Sequence, residues 1–233
     1  MEIQIAIAKI DKFASTKSGD TVEIIERLNK GISVILADGK LNGQGSKSIS
    51  TIIVHKIISQ ITEGIPDGAA AVNASRFIYR EYKGKASAGL NIISCDMDTD
   101  TILLTRCSAV PVALYRDGKV NCFISDVKAL GDREEVQPSI YQIPLESDTS
   151  IILITDGVFN AGANLNQSLD FCTTLDALFE EQEPTAREIA EFMLNQAISL
   201  DQGQPADDMS VVVLQTNREA RDGIKHITVR MPI

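Results

Sequence analysis

Apolar and polar positions alternate over residues 2–11, and short apolar-rich runs follow at 21–27 (TVEIIER) and 31–37 (GISVILA). These patterns predict three strands, the last two joined by a turn at Asn29-Lys30-Gly31. The stretch KLNGQGS reads as a Gly-rich loop. Apolar residues then recur at Ile49, Ile52, Ile53, Ile57 and Ile61. Isoleucine favours strands, but the length and 3.6-residue spacing of this segment predict a helix beginning near Ser46. Asp67 is placed to cap a second helix running to about Tyr82. From 86 to 125 the segments SAGLNIISCDM, TILLTRC, VPVALYR and KVNCFIS predict antiparallel strands, with Asp117-Gly118 as a hairpin turn. Strands near 139–144 and 150–155 follow, then a loop with short helical stretches over 158–182. Thr185 and Glu188 form a capping box for a helix through 200, with Ile189, Met193, Ala197 and Leu200 on one face. Strands at 209–216 and 223–231 end the chain. With no repeat or linker, residues 1–233 read as a single domain of the α+β class. Its expected form is two stacked antiparallel sheets flanked by helices, an αββα sandwich.

Composition narrows the function. The 233 residues carry 22 Lys and Arg against 32 Asp and Glu, a formal net charge of −10. Such a chain repels nucleic-acid phosphates and anionic lipid, so neither nucleic acid nor membrane is an expected partner. The N-terminal MEIQIAIAKIDKF reads as a strand rather than a leader peptide, and no apolar run is long enough to cross a bilayer. Cys95, Cys107, Cys122 and Cys172 include no CxxC spacing, which argues against a zinc ribbon or redox motif. Three of them lie among strand-like residues and read as core thiols in a reducing cytoplasm. His55 falls in a helical pattern and His226 in a terminal strand, so both read as structural. Ser-His-Asp and Cys-His machinery is therefore not expected, and any catalysis should rest on carboxylates.

The carboxylates are not scattered. ISVILADG ends at Asp38-Gly39 and SIILITDG at Asp156-Gly157, each an apolar run stopping at Asp-Gly. Asp-Gly usually means a hairpin, and Asp117-Gly118 supplies the control because another strand follows it at once. The other two pairs are followed by a Gly-rich loop and by VFNAGANLN, so each carboxylate is expected at the end of a central strand. Asp20 in Ser18-Gly19-Asp20 and the pair Asp207-Asp208 in Ala206-Asp207-Asp208-Met209-Ser210 complete the set. Alone, each reads as a solvated loop acid. Together they form an all-oxygen donor set that suits Mg²⁺ or Mn²⁺.

The ordered pattern SGD, DG-x-x-x-G, TDG and DDMS resembles the bacterial PPM-class metal-dependent protein phosphatases of the sporulation stage-II-E type. The resemblance spans nearly the whole chain and includes the segment 87–118. It implies that Asp38 bridges two divalent cations. Asp20 and the Gly39 carbonyl would complete one site, Asp156 and Asp207 the other, with Asp208 supporting them. It further implies in-line attack by a metal-bridging hydroxide on phosphoserine or phosphothreonine. The substrate it implies is a regulatory partner such as an anti-anti-sigma-like or stress-signalling protein. The chain departs from the family's Asp-Gly-x-Gly-x-Gly loop at Leu41, where a glycine is usual. A leucine there would distort the turn, or strain it if its φ is positive. Lys40 stands where eukaryotic relatives carry a histidine that helps protonate the leaving group. The other function class open to this sequence is a weakly active or inactive phosphatase-fold module that binds a signalling partner.

Two further patterns fail on inspection. Asp96 to Asp100 begins like an EF-hand loop, but Thr101 and Cys107 stand where that loop needs Gly and Glu. GQGSKS lacks the glycines of a phosphate loop.

Overall fold

The computed structural model describes residues 1–15, 18–28 and 31–218. The expected turn at Asn29-Lys30 and the expected strand at 223–231, with His226, lie outside the described residues. In chain order the elements are β1 (Glu2–Ile10), β2 (Asp20–Glu26), β3 (Ile32–Leu41), β4 (Gln44–Gly45), α1 (Lys47–Thr62), α2 (Asp67–Tyr82), β5 (Ala86–Asp96) and β6 (Thr101–Cys107). They continue with β7 (Val112–Arg116), β8 (Lys119–Phe123), β9 (Ser139–Pro144), β10 (Thr149–Ile154), α3 (Asp156–Phe159), α4 (Phe171–Glu181), α5 (Ala186–Leu200) and β11 (Met209–Asn217).

One sheet runs β1-β11-β10-β7-β8 and the other β2-β3-β5-β6-β9, with β4 added to β3. Every pairing is antiparallel. Period-two alternation sorts the side chains of each central strand into two layers. On β3, Val34 and Leu36 enter the core between the sheets, while Ile35 and Ala37 face α1 and α2. On β10, Ile151 and Leu153 face the other sheet, while Ile152 and Ile154 pack with α4 and α5. These central strands are buried on both faces, and the sandwich has the expected αββα layers.

The helices follow from their stripes. Ile49, Ile53, Val54, Ile57 and Ile61 bury one face of α1, as the 3.6 spacing requires. The α5 capping box is present: Thr185 Oγ1 accepts from Glu188 N, and Glu188 Oε2 accepts from Thr185 N at 2.8 Å. Asp67 does not cap α2. It is the first helical residue, after Pro66, and its carboxylate is buried. There it accepts from Arg27 and from the Ser94 hydroxyl, which fastens the helix start to β2 and β5. The region 158–182 is more ordered than expected, since α4 alone runs for 11 residues.

Two sequence expectations are corrected here. KLNGQGS is not an open loop. β3 runs on through Leu41 and returns as β4 through a two-residue hairpin at Asn42 (φ 52°) and Gly43 (φ 78°), the Asn-Gly turn that matches strand twist. Leu41 has no positive φ, pairs with Gln44 and Ala86, and packs partly buried against the α1–α2 core. The strained-leucine idea therefore fails. The second correction concerns the cysteines. Cys122 on β8 and Cys172 on α4 are bonded across a Cα–Cα distance of 6.3 Å. Their separation of 50 residues hid a pair that the fold makes neighbours. Cys95 and Cys107 are buried free thiols, as expected. Among the described residues no helix is long and apolar enough to cross a membrane.

Arg106 on β6 is fully buried without a carboxylate partner among its hydrogen bonds. Its guanidinium donates to the carbonyls of Phe123 (2.8 Å), Val110 and Ser108, and to Asn91 Oδ1. These bonds pin the chain where it crosses from one sheet to the other between β6 and β7. Arg106→Met should lower the unfolding free energy in urea by at least about 3 kcal/mol, because it strands several buried carbonyls. Leu41→Gly should also destabilise, by about 1–2 kcal/mol, from lost apolar burial and added chain entropy. A gain in stability from Leu41→Gly would contradict the extended-strand reading.

Candidate metal centre

The rows of side chains that build the inter-sheet core become polar at one end of the sandwich. On β3 the row Val34, Leu36 continues into Asp38 and Lys40. On β2, Val22 is followed inward by Asp20. On the other sheet, the row Ile151, Leu153 continues past β10 into Thr155, and Leu214, Val212 on β11 lead back to Ser210. Asp20 and Asp38 are directly paired across β2 and β3. Asp38 thus lies within a strand rather than at its end. Asp156 begins α3 immediately after β10, as expected.

Asp20 is 1% exposed and joins the two sheets. Its Oδ2 accepts from Ser210 Oγ at 2.6 Å and from Thr155 Oγ1 at 3.0 Å. Its backbone carbonyl accepts from both Lys9 Nζ (3.0 Å) and Lys47 Nζ (2.7 Å). Asp208 is also buried and accepts from Gly19 N at 2.6 Å and Lys12 N at 2.9 Å, which fixes the segment leading to Asp20. The Gly39 carbonyl accepts from Ser46 N at 2.7 Å, at the start of α1. Lys40 Nζ donates to Asp156 Oδ2 and lies 3.6 Å from Asp38 Oδ2.

The glycines of the two Asp-Gly pairs work by close approach. A Cβ on Gly39 would stand 2.4 Å from Ser50 N, and one on Gly157 would stand 2.1 Å from Asp208 O. Neither has a positive φ. Gly118 is the reverse case: φ is 73° and nothing lies within 4 Å of its Cβ position. The hairpin control drawn from the sequence therefore separates two physical roles for the same dipeptide.

Gathering carboxylates at this seam perturbs them. Burial and then the neighbouring charge of Asp156 push Asp38 up to about 8. Burial pushes Asp20 up to about 7, against the lowering effect of the Ser210 and Thr155 hydroxyls. Asp207 is raised, mainly by burial, although its backbone bond to Asp208 opposes this. Burial alone would lower Lys40, but its bond to Asp156 and the charges of Asp38, Asp156 and Asp207 outweigh that and push it up to about 12. Among the described residues, no three Asp, Glu, His or Cys side chains converge closely enough to cage an ion as they stand. An ammonium lies between two of them instead.

Residues 28–217 match the family described as Stage II sporulation protein E, SpoIIE. The chain belongs to the SpoIIE family. Stage II sporulation protein E of Priestia megaterium is 21% identical over 212 residues, which cover 91% of this chain and 36% of that protein. The chain therefore spans about a third of the curated relative it matches. The PP2C phosphatase domain of SpoIIE from Bacillus subtilis, solved with a fragment of its regulatory domain, superposes with a TM-score of 0.78 at 18% identity. That match covers 92% of this chain and 63% of that one. RsbX, solved in complex with magnesium, superposes with a TM-score of 0.68 at 14% identity, covering 92% and 96% of the two chains. The fold is the PP2C-type sandwich, and the SpoIIE family is one of PP2C-type phosphatase domains.

In this SpoIIE-family chain the sequence reading missed Thr155 and Ser210. Both lie inside the strings TDG and DDMS, beside the carboxylates that drew attention. Their position two residues beyond apolar inter-sheet residues was the available signal. For the glycines, Gly157→Ala should cost about 3 kcal/mol, since backbone must move. Gly118→Ala should cost only about 1–2 kcal/mol for its left-handed φ. Equal losses in urea unfolding would remove the distinction.

Proposed function

We propose that this chain is a metal-dependent protein phosphatase that hydrolyses phosphoserine or phosphothreonine on a regulatory partner protein. The observation that carries the reading is the delivery of carboxylates from four separate segments to one seam of a PP2C-type sandwich. The donor set fits hard divalent cations: it is all oxygen, and it gathers acids whose burial holds Asp20, Asp38 and Asp207 above the usual carboxylate range until a cation offsets their charge. Asp38, Asp156, Asp207 and the Gly39 carbonyl would hold two ions, Mn²⁺ or Mg²⁺, with Asp20 completing the set and Asp208 supporting it. Such a pair, when bound, supplies an activated water for in-line displacement and charge to offset the phosphoryl oxygens.

The chain's own residues orient that chemistry. Thr155 and Ser210 lock Asp20, and Asp208 holds the segment before it. The pair of ammonium groups on the Asp20 carbonyl adds local positive charge at the rim of an otherwise acidic seam. We take residues 1–233 as one catalytic domain acting in the cytoplasm. Its partner would be an anti-anti-sigma-like or related signalling protein, with nucleic acid disfavoured by the charge of −10. One observation favours the second reading, a weakly active binding module: Lys40 pairs with both Asp38 and Asp156.

Turnover of a phosphopeptide with and without Mn²⁺, and with chelator, separates the two. Asp38→Asn and Asp156→Asn should each lower turnover by more than about 100-fold, beyond the 10–100-fold typical of residues that only support a ligand. Both variants should keep the far-ultraviolet spectrum of the parent. Asp117→Asn should be silent. No Mn²⁺-dependent hydrolysis, with intact divalent binding, would favour the module.

A further inference from the structure

Lys40 lies two residues beyond Asp38 on β3, and side chains two apart on a strand share a face. Because β3 continues in register through Leu41, Lys40 is committed to the side that Asp38 occupies. Its Nζ bonds to Asp156 Oδ2 and lies 3.6 Å from Asp38 Oδ2, so it spans a carboxylate from each sheet's end. Among the described residues it is the one cation in an ion pair with either group. The Lys40 side chain is 32% exposed, so it has a path out to solvent.

We infer that Lys40 is a resident counter-cation filling the space between Asp38 and Asp156, and that a divalent ion must displace it to bind there. The inference rests on the metal-dependent reading of the site. A carboxylate has lone pairs to spare, but an ion held by both Asp38 and Asp156 at about 2.0–2.1 Å would need the space the ammonium fills. The ammonium must therefore leave, and its stem keeps it close enough to repel the incoming ion. One effect opposes this: Lys40 draws the two carboxylates together, and without it they would splay apart. Repulsion should dominate, because the metal itself regathers anionic oxygens, whereas the tethered ammonium stays near it. Lys40 thus keeps the metal-free seam from repelling itself and raises the metal concentration needed to fill it.

Calorimetric titration with Mn²⁺, together with metal-free and metal-loaded melting curves, tests this on the parent, Lys40→Met and Lys40→Arg. Lys40→Met should bind Mn²⁺ at least about tenfold more tightly, as expected when a competing close charge is removed. It should also melt lower than the parent without metal and gain more on adding Mn²⁺. Lys40→Arg keeps the charge and should stay near parental affinity. Unchanged or weaker binding by Lys40→Met overturns the inference, as does equal tightening by Lys40→Arg. If no form binds Mn²⁺ at all, the metal-dependent reading falls and takes this inference with it, a result distinct from equal binding by all three. Should Lys40→Met fail to fold without metal, a crystal structure of the Mn²⁺-loaded parent decides. Lys40 Nζ more than 4 Å from Asp156 supports displacement, and a retained bond overturns it.

Discussion

The seam where the two sheets meet depends on one buried carboxylate. Asp20 belongs to β2, while the hydroxyls it accepts come from Thr155, just past β10, and Ser210 on β11. Thr155 and Ser210 are themselves linked twice: Thr155 N donates to the Ser210 carbonyl, and Ser210 N donates to the Thr155 hydroxyl. Sliding one sheet against the other would break both charge-assisted bonds and leave a carboxylate buried without partners. That cost is larger than the net value of the bonds themselves. Apolar packing between the sheets is non-directional and tolerates small shifts. The Asp20 cluster does not, so it fixes the register in which Asp38 faces Asp156.

That register sets like charges near one another in a buried place, which the fold alone does not favour. Burial raises both Asp20 and Asp38 above the usual carboxylate range, and the charge of Asp156 adds to it at Asp38. The opposing stabilisation lies elsewhere, in the three apolar layers whose central strands are buried on both faces. Arg106, at the crossover, and Asp67, at the start of α2, add buried polar contacts away from the seam that involve none of its carboxylates. Local destabilisation at a candidate site, offset by an otherwise self-consistent fold, is the division expected of a working seam.

Most of the architecture was legible because period two and period 3.6 are strong signals in long segments. The errors have local causes. Asn42-Gly43, a plain hairpin signal, was hidden inside a glycine-rich string and read as loop, so β3 was ended at Asp38. Asp67 has the composition of a cap, but Arg27 and Ser94 arrive from distant strands and claim its carboxylate. Cys122 and Cys172 meet only because β8 and α4 pack together. The candidate acids were legible from the order of four short motifs. Their supporting hydroxyls required knowing which face each residue takes, which follows from the strand register and not from motif spacing.

The misplaced end of β3 matters beyond bookkeeping of elements, because it decides where Lys40 points. In a glycine-rich loop, residue 40 would have no fixed side. Leu41 changes that. As an odd-numbered β3 residue it faces α1 and α2 with Ile35 and Ala37, where its burial favours extended backbone. Extending the strand through residue 41 necessarily turns residue 40 to the opposite face, in line with Asp38. A lysine there meets Asp156 across the seam. The leucine at position 41 and the placement of Lys40 are therefore one structural event. A leucine anchored in the helix-side core holds the backbone straight, and the straight backbone carries a cation into the cluster of acids.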